Sequence, residues 1–241
     1  MANTLFLRLE SPLQSWGEDS QWSERRTAPE PTKSGIVGLL ACARGWNDDE
    51  RIRDLSCKIR IGVRHDVQGT PAPLKDYHTV GGGYEGPQLL TAVGKPKFIT
   101  NTKKPHIEPT WRYYLCEASF LVAIRSDSTT IEELAHAVQF PAWPLYLGRK
   151  SCVPSRPLFD GIGDYDSLQE ALERHPARFL DSDAAKQVIK HPRIVVECNA
   201  GEGIRRRDQI ASRAYRLFEP RYSREHCLLN EIKVEYLDQG A

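Results

Sequence analysis

Residues 3–10, Asn3-Thr4-Leu5-Phe6-Leu7-Arg8-Leu9-Glu10, alternate with a period of two. Leu5, Leu7 and Leu9 share one side; Phe6, Arg8 and Glu10 share the other. The pattern predicts a first strand with one apolar face and one largely polar face. From Ile36 the chain becomes apolar on nearly every side, which predicts a buried helix rather than an amphipathic one. Pro29 and Pro31 impose an extended approach, Thr32 offers a hydroxyl as N-cap, and Gly45 supplies the stop. Gly35 and Gly38 leave one side of this helix bare, so it is expected to lie close against a sheet. Residues 48–55 read as a charged connection. Residues 56–66 read as a second strand, with Ile59, Ile61 and Val63 opposite Lys58, Arg60, Gly62 and Arg64.

Residues 67–111 show no sustained period and are punctuated by proline and glycine, including Gly81-Gly82-Gly83 and Gly86-Pro87. An insertion of this length is usually functional; its lysines, with Tyr77, His78, Tyr84 and Trp111, suit a projecting arm. Residues 112–124 predict a third strand, and Ile131, Leu134 and Val138 mark a helix over 130–139. The order is then βαββα, and one further strand completes a ferredoxin-like split βαβ pattern. Beyond Pro157 the expectations are helices over 166–173 and 183–189, a short strand over 193–198, an irregular arginine-rich stretch over 204–224 and a last strand over 229–237. No linker or internal repeat divides the chain.

Two stretches carry candidate chemistry. The start of the buried helix gathers Arg25, Arg26, Thr32, Lys33, Ser34 and Gly35, and a helix N-terminus with free N–H groups, hydroxyls and a lysine suits an anion. An ordinary capped core helix fits the same residues. The second stretch, Pro144-Leu145-Tyr146-Leu147-Gly148-Arg149-Lys150-Ser151-Cys152, sets a glycine beside two cations, an arrangement suited to a phosphate. A basic turn built on a positive-φ glycine explains it equally. Trp16 and Trp22 lie in a polar loop, where stacking on a base competes with pinning of the loop to the core.

Composition narrows these readings. A chain of 241 residues can form one elaborated domain or two small ones. No run of 18 apolar residues occurs, and strand alternation begins within a few residues of the start; the expectation is a cytoplasmic protein with no membrane partner and no signal peptide. The six cysteines, at 42, 57, 116, 152, 198 and 227, form no CxxC pair, which argues against zinc and against a disulfide framework. The net charge of +1 does not suggest a nucleic-acid partner, but its distribution does. Seven arginines fall between Arg205 and Arg224, and residues 95–112 hold five cations against Glu108 alone. Charge segregated in this way can form basic grooves on a near-neutral protein.

Leu9-Glu10-Ser11-Pro12-Leu13-Gln14-Ser15-Trp16-Gly17, then Glu30-Pro31-Thr32-Lys33-Ser34-Gly35-Ile36-Val37-Gly38-Leu39-Leu40-Ala41, then Leu145–Cys152, occur in this order. Together they resemble the CasD family, the fifth CRISPR-associated family of the RAMP superfamily, most closely the version in type I-E Cascade. The resemblance covers roughly residues 3–160, and beyond that only the Arg205–Arg213 stretch and the final strand. It implies an α+β, ferredoxin-like or RRM-like fold with an inserted β-hairpin thumb at about 67–112. Residues 1–160 would form the RAMP domain, and 161–241 a small C-terminal extension completing it. It also implies a non-catalytic subunit, without cofactor or metal, that grips the 5′ handle of CRISPR RNA. Such a subunit contacts the nearest backbone-forming Cascade subunit and the large PAM-reading subunit, and meets target DNA only indirectly. On that reading Arg25, Arg26, Thr32, Lys33, Ser34, Gly35, Arg112, Gly148, Arg149, Lys150, Ser151, Arg205 and Arg206 would hold RNA, and bases would stack on aromatics such as Tyr146.

A rival reading is a metal-independent endoribonuclease, the activity described for type I-C relatives. It would require a base, an acid and cationic support around one phosphate. Tyr77-His78 and Lys103-Lys104 with His106 are the candidates, and nothing in their spacing brings two of them together. Motifs for nucleotide binding, zinc proteolysis and serine hydrolysis are missing. Asp160, Asp164 and Asp166 lack the closing glutamate of an EF-hand.

Overall fold

The first strand forms where alternation predicts it, as β1, Thr4–Glu10. In the computed structural model, which describes residues 1–17, 21, 23–70, 72–82, 88–179 and 187–236, both of its faces are buried. Leu5, Leu7 and Leu9 pack beneath two helices, α1 (Lys33–Ala43) and α3 (Ser128–Gln139). Phe6 packs on the opposite side with Leu168, Ala171 and Leu172 of α4 (Leu168–Arg174).

Residues 49–58 are not a connection. They form α2 (Asp49–Lys58), capped by Asp48, whose carboxylate accepts from the Arg51 amide at 2.9 Å. Ile52 and Leu55, three residues apart, are buried while the charges between them face water. A sparse apolar stripe among many charges is weak in sequence and sufficient once a partner surface exists. The second strand consequently starts later than expected, as β4 (Arg60–Val67).

The stretch expected as one strand over 112–124 is two. The strand β6 (Ile107–Cys116) ends at Glu117, whose φ is +56°, and β7 (Ser119–Arg125) then enters a different sheet. The insertion is more ordered than its composition suggests: β5 (Leu74–Gly81) pairs antiparallel with β6 in a hairpin. Short strands β2 (Leu13–Gln14) and β3 (Glu24–Arg25) also pair with β6. The fourth core strand is β8 (Phe159–Gly163), which spans residue 160.

Four strands lie in the order β4-β7-β1-β8, all antiparallel, the arrangement of a ferredoxin-like core. The C-terminal part widens the same sheet. Strand β10 (Arg193–Cys198) adds to β4, and the stretch expected to be irregular is the pair β11 (Ile204–Ser212) and β12 (Leu217–Cys227). The sheet order is β11-β12-β10-β4-β7-β1-β8. The last strand is shorter than expected: only β13 (Val234–Tyr236), parallel to β9 (Ala177–Phe179). Of the helix expected over 183–189, residues 183–186 lie outside the described residues, and 187–189 are not helical.

Arg8 and Arg64, placed by alternation on a polar face, are fully buried there. Arg8 pairs with Asp66 and with Asp160 (3.0 Å), and Arg64 with Asp66. The Arg64 guanidinium also donates to the carbonyls of Leu172 and His175, which fastens the end of α4 to the sheet. Burial opposes ionisation of Asp66, but the charges of Arg64 and Arg8 outweigh it and hold the carboxyl below its ordinary range. His175 Nε2–H donates to the Asp160 carboxylate (3.1 Å) and the ring stacks on Phe6 at 3.9 Å; burial lowers its pKa.

Candidate nucleic-acid interface

Three segments meet at the thumb end of the sheet. The loop after β2 is held by the Ser15 amide donating to the Leu147 carbonyl (3.1 Å), and by the Trp16 amide donating to the Thr27 hydroxyl (2.9 Å). Segment 24–26 lies along β6, with Arg25 opposite Arg112 in the parallel ladder. The turn at 147–152 closes through Leu147 N–H to the Cys152 carbonyl (2.8 Å) and Cys152 N–H to the Arg149 carbonyl (2.9 Å). Gly148 has φ +94° and sits against the Ser15 backbone carbonyl, where no β-carbon fits.

Between these segments opens a cleft of about 370 Å³ lined by Ser15, Gly17, Arg25, Arg26, Arg112, Gly148 and Arg149. Four of its walls are arginines and none is acidic. Arg149 is fixed from three directions: it donates to the Tyr113 carbonyl (3.3 Å) and to the Arg25 carbonyl (2.7 Å), and lies 4.6 Å over the Tyr114 ring. Bonds to carbonyls position its guanidinium without neutralising it. Arg26 is exposed and bonds Glu24 outside the cleft at 3.0 Å.

The helix start is different from the anion site expected of it. Lys33 is buried, its ammonium held by Glu197 (2.9 Å). Its backbone N–H donates to the Asp208 carboxylate at 2.7 Å, and Arg221 neutralises the same aspartate. The protein therefore supplies the helix start with an anion of its own. The Thr32 hydroxyl caps the helix by accepting from Gly35 N–H (3.3 Å). Burial lowers the pKa of Lys33, and Glu197 only partly offsets this.

Thr32, Ser34 and Gly35 instead line a second, mostly apolar groove of about 580 Å³, with Gly38, Trp46 and Trp143. It shares Ser15, Gly17 and Gly148 with the arginine cleft, so the two are neighbours. Gly38 is open to this groove, with no atom of the described residues within 4 Å of where a β-carbon would stand; of the two glycines, Gly35 is tight, and its neighbour is the Trp16 ring rather than a strand. Trp16 is buried and pins its loop; Trp22 lies outside the described residues.

Tyr146, Lys150 and Ser151 share the turn with Gly148 but do not line the cleft. Arg205 is exposed on β11. Arg206, beside it, pairs with Glu30 at 2.9 Å, where His65 and Arg193 also bind. Burial opposes ionisation of Glu30, but His65 and the two arginines outweigh it and lower its pKa. That clamp ties the C-terminal strands to the approach of α1. The apolar groove was missed by sequence reasoning; exposed Trp143 after α3 was its signal.

In the thumb, His78 pairs with Asp76 and His106 with Glu108 (3.0 Å), each with a carboxylate two residues away. His78 stands opposite Thr110, four residues along the strand from His106. The two imidazoles therefore do not meet. Asp160 points into the buried arginine network, away from Asp164 at the N-terminal amine. No helix among the described residues is long and apolar enough to cross a membrane.

A family model described as CRISPR-associated protein (Cas_Cas5) matches residues 4–222. The Escherichia coli (strain K12) protein named CRISPR system Cascade subunit CasD is 36% identical over 183 residues, 71% of this chain and 76% of that one. Among solved structures, a crystal structure of a Cas protein is similar at 34% identity and a TM-score of 0.67, covering 93% of this chain and 94% of its own. A chain of a CRISPR RNA-guided surveillance complex is similar at 27% identity and a TM-score of 0.71, covering 98% and 95%. With nine-tenths of the chain inside the family model and this fold beneath it, the chain belongs to the CRISPR-associated Cas5 family.

Proposed function

We propose that this chain is a non-catalytic subunit of a type I-E CRISPR surveillance complex in the cytoplasm, and that its arginine cleft holds the 5′ handle of the CRISPR RNA. The observation that carries the reading is the convergence of Arg25, Arg26, Arg112 and Arg149 around Gly148, with no carboxylate among the lining residues. Phosphates of a sharply turned strand lie against the guanidiniums, and these contacts position the RNA without reading its sequence. Bases pass into the neighbouring apolar groove beside Trp46 and Trp143. The thumb carries exposed Leu90, Val93, Phe98 and Ile107, apolar surface suited to the adjoining backbone-forming subunit. The large PAM-reading subunit is the second protein partner, and target DNA is met through it.

The test is co-expression with the other Cascade subunits and CRISPR RNA, comparing the parent with Arg26→Ala/Arg112→Ala. The expected result is normal protein assembly with handle RNA lost or made nuclease-sensitive in the variant. Unchanged protection of the handle would overturn the assignment of the cleft. Incubation of the purified protein with repeat RNA in EDTA separates this reading from the nuclease: intact RNA supports it, and discrete cleavage abolished by changing His78 or His106 overturns it.

A further inference from the structure

A second cationic cavity lies at the opposite end of the central sheet. The thumb leaves β4 after Val67 and returns to β7 at Ser119, whereas Arg60 and Arg125 stand at the far ends of those strands. The separation is roughly 20 Å at about 3.3 Å per residue. There a cavity of about 510 Å³ is lined by Arg60, Arg125, Lys58, Arg224 and His226. Arg60 and Arg125 are directly opposite each other in the antiparallel β4–β7 ladder. Like charges in that relation repel and destabilise a sheet. Neither forms an ion pair among the described residues. Arg60 donates to the Glu197 carbonyl (2.9 Å) and Arg125 to the Asp166 carbonyl, so both guanidiniums are held in place with their charge intact.

Two carboxylates border the cavity. That of Glu197 is committed to Lys33 and to the Ile61 amide (3.3 Å). Asp166 is left on the rim; of the four cations, Lys58 pairs with Asp127 (3.7 Å) and Arg224 with Glu202 (3.9 Å), which leaves Arg60 and Arg125 as the uncompensated charges among the described residues. His226 also lines the cavity; its Nε2 is buried and has no hydrogen-bond partner among the described residues.

From this geometry we infer that the cavity is a phosphodiester-binding site in its own right, separate from the arginine cleft. Two guanidiniums lining one cavity offer several N–H donors to an oxyanion bound there, and a phosphate has the charge and acceptor oxygens to satisfy both, where a single carboxylate has fewer. Lys58 and Arg224 line the same cavity, their surface pairs with Asp127 and Glu202 being long and exposed. The bound anion also relieves the repulsion between Arg60 and Arg125, which accounts for an otherwise unfavourable pair. This inference does not depend on what fills the arginine cleft.

The source is either single-stranded RNA or duplex DNA, and the experiment separates them. The purified chain is titrated with a short labelled single-stranded RNA and with a DNA duplex over a range of salt. The variants are Arg60→Gln/Arg125→Gln, the charge-retaining Arg60→Lys/Arg125→Lys, and a control, Arg51→Gln/Arg53→Gln, which removes two exposed charges of α2 outside the cavity. The glutamine pair is expected to weaken binding of one of the two probes about tenfold or more. Its slope of log affinity on log salt should fall by about 1 to 2, with recovery in the lysine pair and little change in the control. The probe affected identifies the source. Equal behaviour of the glutamine pair and the control on both probes overturns the site. So does a loss that the lysine pair fails to recover.

Discussion

The backbone carbonyl of Ser15 occupies the position from which any side chain at residue 148 would project, so the loop after β2 and the turn after α3 approach only because residue 148 is glycine. That contact forms the floor shared by the arginine cleft and the apolar groove. Gly148→Ala combines a backbone clash with a strained φ of +94°, and is expected to cost about 3 kcal/mol or more. Thermal unfolding checks the stability, and handle retention in the assembled complex checks the cleft. A stable variant with normal retention would contradict the packing described.

Arg149 and Arg26 should separate structure from binding. Arg149→Ala removes two bonds to carbonyls and a ring contact, an expected loss of roughly 1–3 kcal/mol together with RNA retention. Arg149→Lys keeps the charge but cannot span the Tyr113 and Arg25 carbonyls, so it should recover little. Arg26→Ala, on an exposed side chain, should lower retention at unchanged melting temperature. Parallel melting curves and RNA yields test all three.

The two glycines of α1 should behave oppositely. A β-carbon on Gly35 would stand 2.8 Å from the Trp16 ring, which is buried and cannot retreat; Gly35→Ala is expected to destabilise by about 1–3 kcal/mol, and Gly35→Val by more. A β-carbon on Gly38 meets no atom of the described residues within 4 Å. Gly38→Ala should stabilise the helix by about 0.5–1 kcal/mol, measured by chemical denaturation.

Acid should unfold the protein in two stages. Burial holds the folded-state pKa of His175 below the ordinary 6.5. The unfolded chain therefore binds the proton first, and stability falls as pH drops below about 6.5. Asp66 and Asp160 have folded pKa values below the ordinary 3.8. Their contribution is present above that value and is lost as pH falls through the folded values. His175→Gln should remove the first stage and leave the second, as followed by denaturant midpoints between pH 7 and 3.

Asp66→Asn should be among the most damaging single changes. It leaves Arg8 and Arg64 buried beside a neutral side chain, at an expected cost of roughly 3–5 kcal/mol. A midpoint shift below about 1 kcal/mol would show that the arginines find other partners.

Local pattern determined much of this molecule. The alternation of Leu5, Leu7 and Leu9, the Thr32 cap and Gly45 stop of α1, and the Ile131–Leu134–Val138 stripe of α3 each act within one element, and each formed as its residues dictate. The βαββα order and the basic glycine turn were legible for the same reason. What only the tertiary structure decided concerns groups distant in sequence. Lys33 looked like a phosphate ligand until Glu197 and Asp208, more than 160 residues away, closed on it. Arg8 and Arg64 read as a wet face because α4, which covers them, and the carboxylates of Asp66 and Asp160 that pair with Arg8, come from elsewhere in the chain; only the Arg64–Asp66 pair is local. The arginine stretch after residue 204 read as irregular because charged strands lack alternation, yet β12 pairs with β10 and carries β11 into the sheet. A charge's role depends on whether an opposite charge is brought within a few ångströms of it, and that distance is set by the fold rather than by sequence spacing.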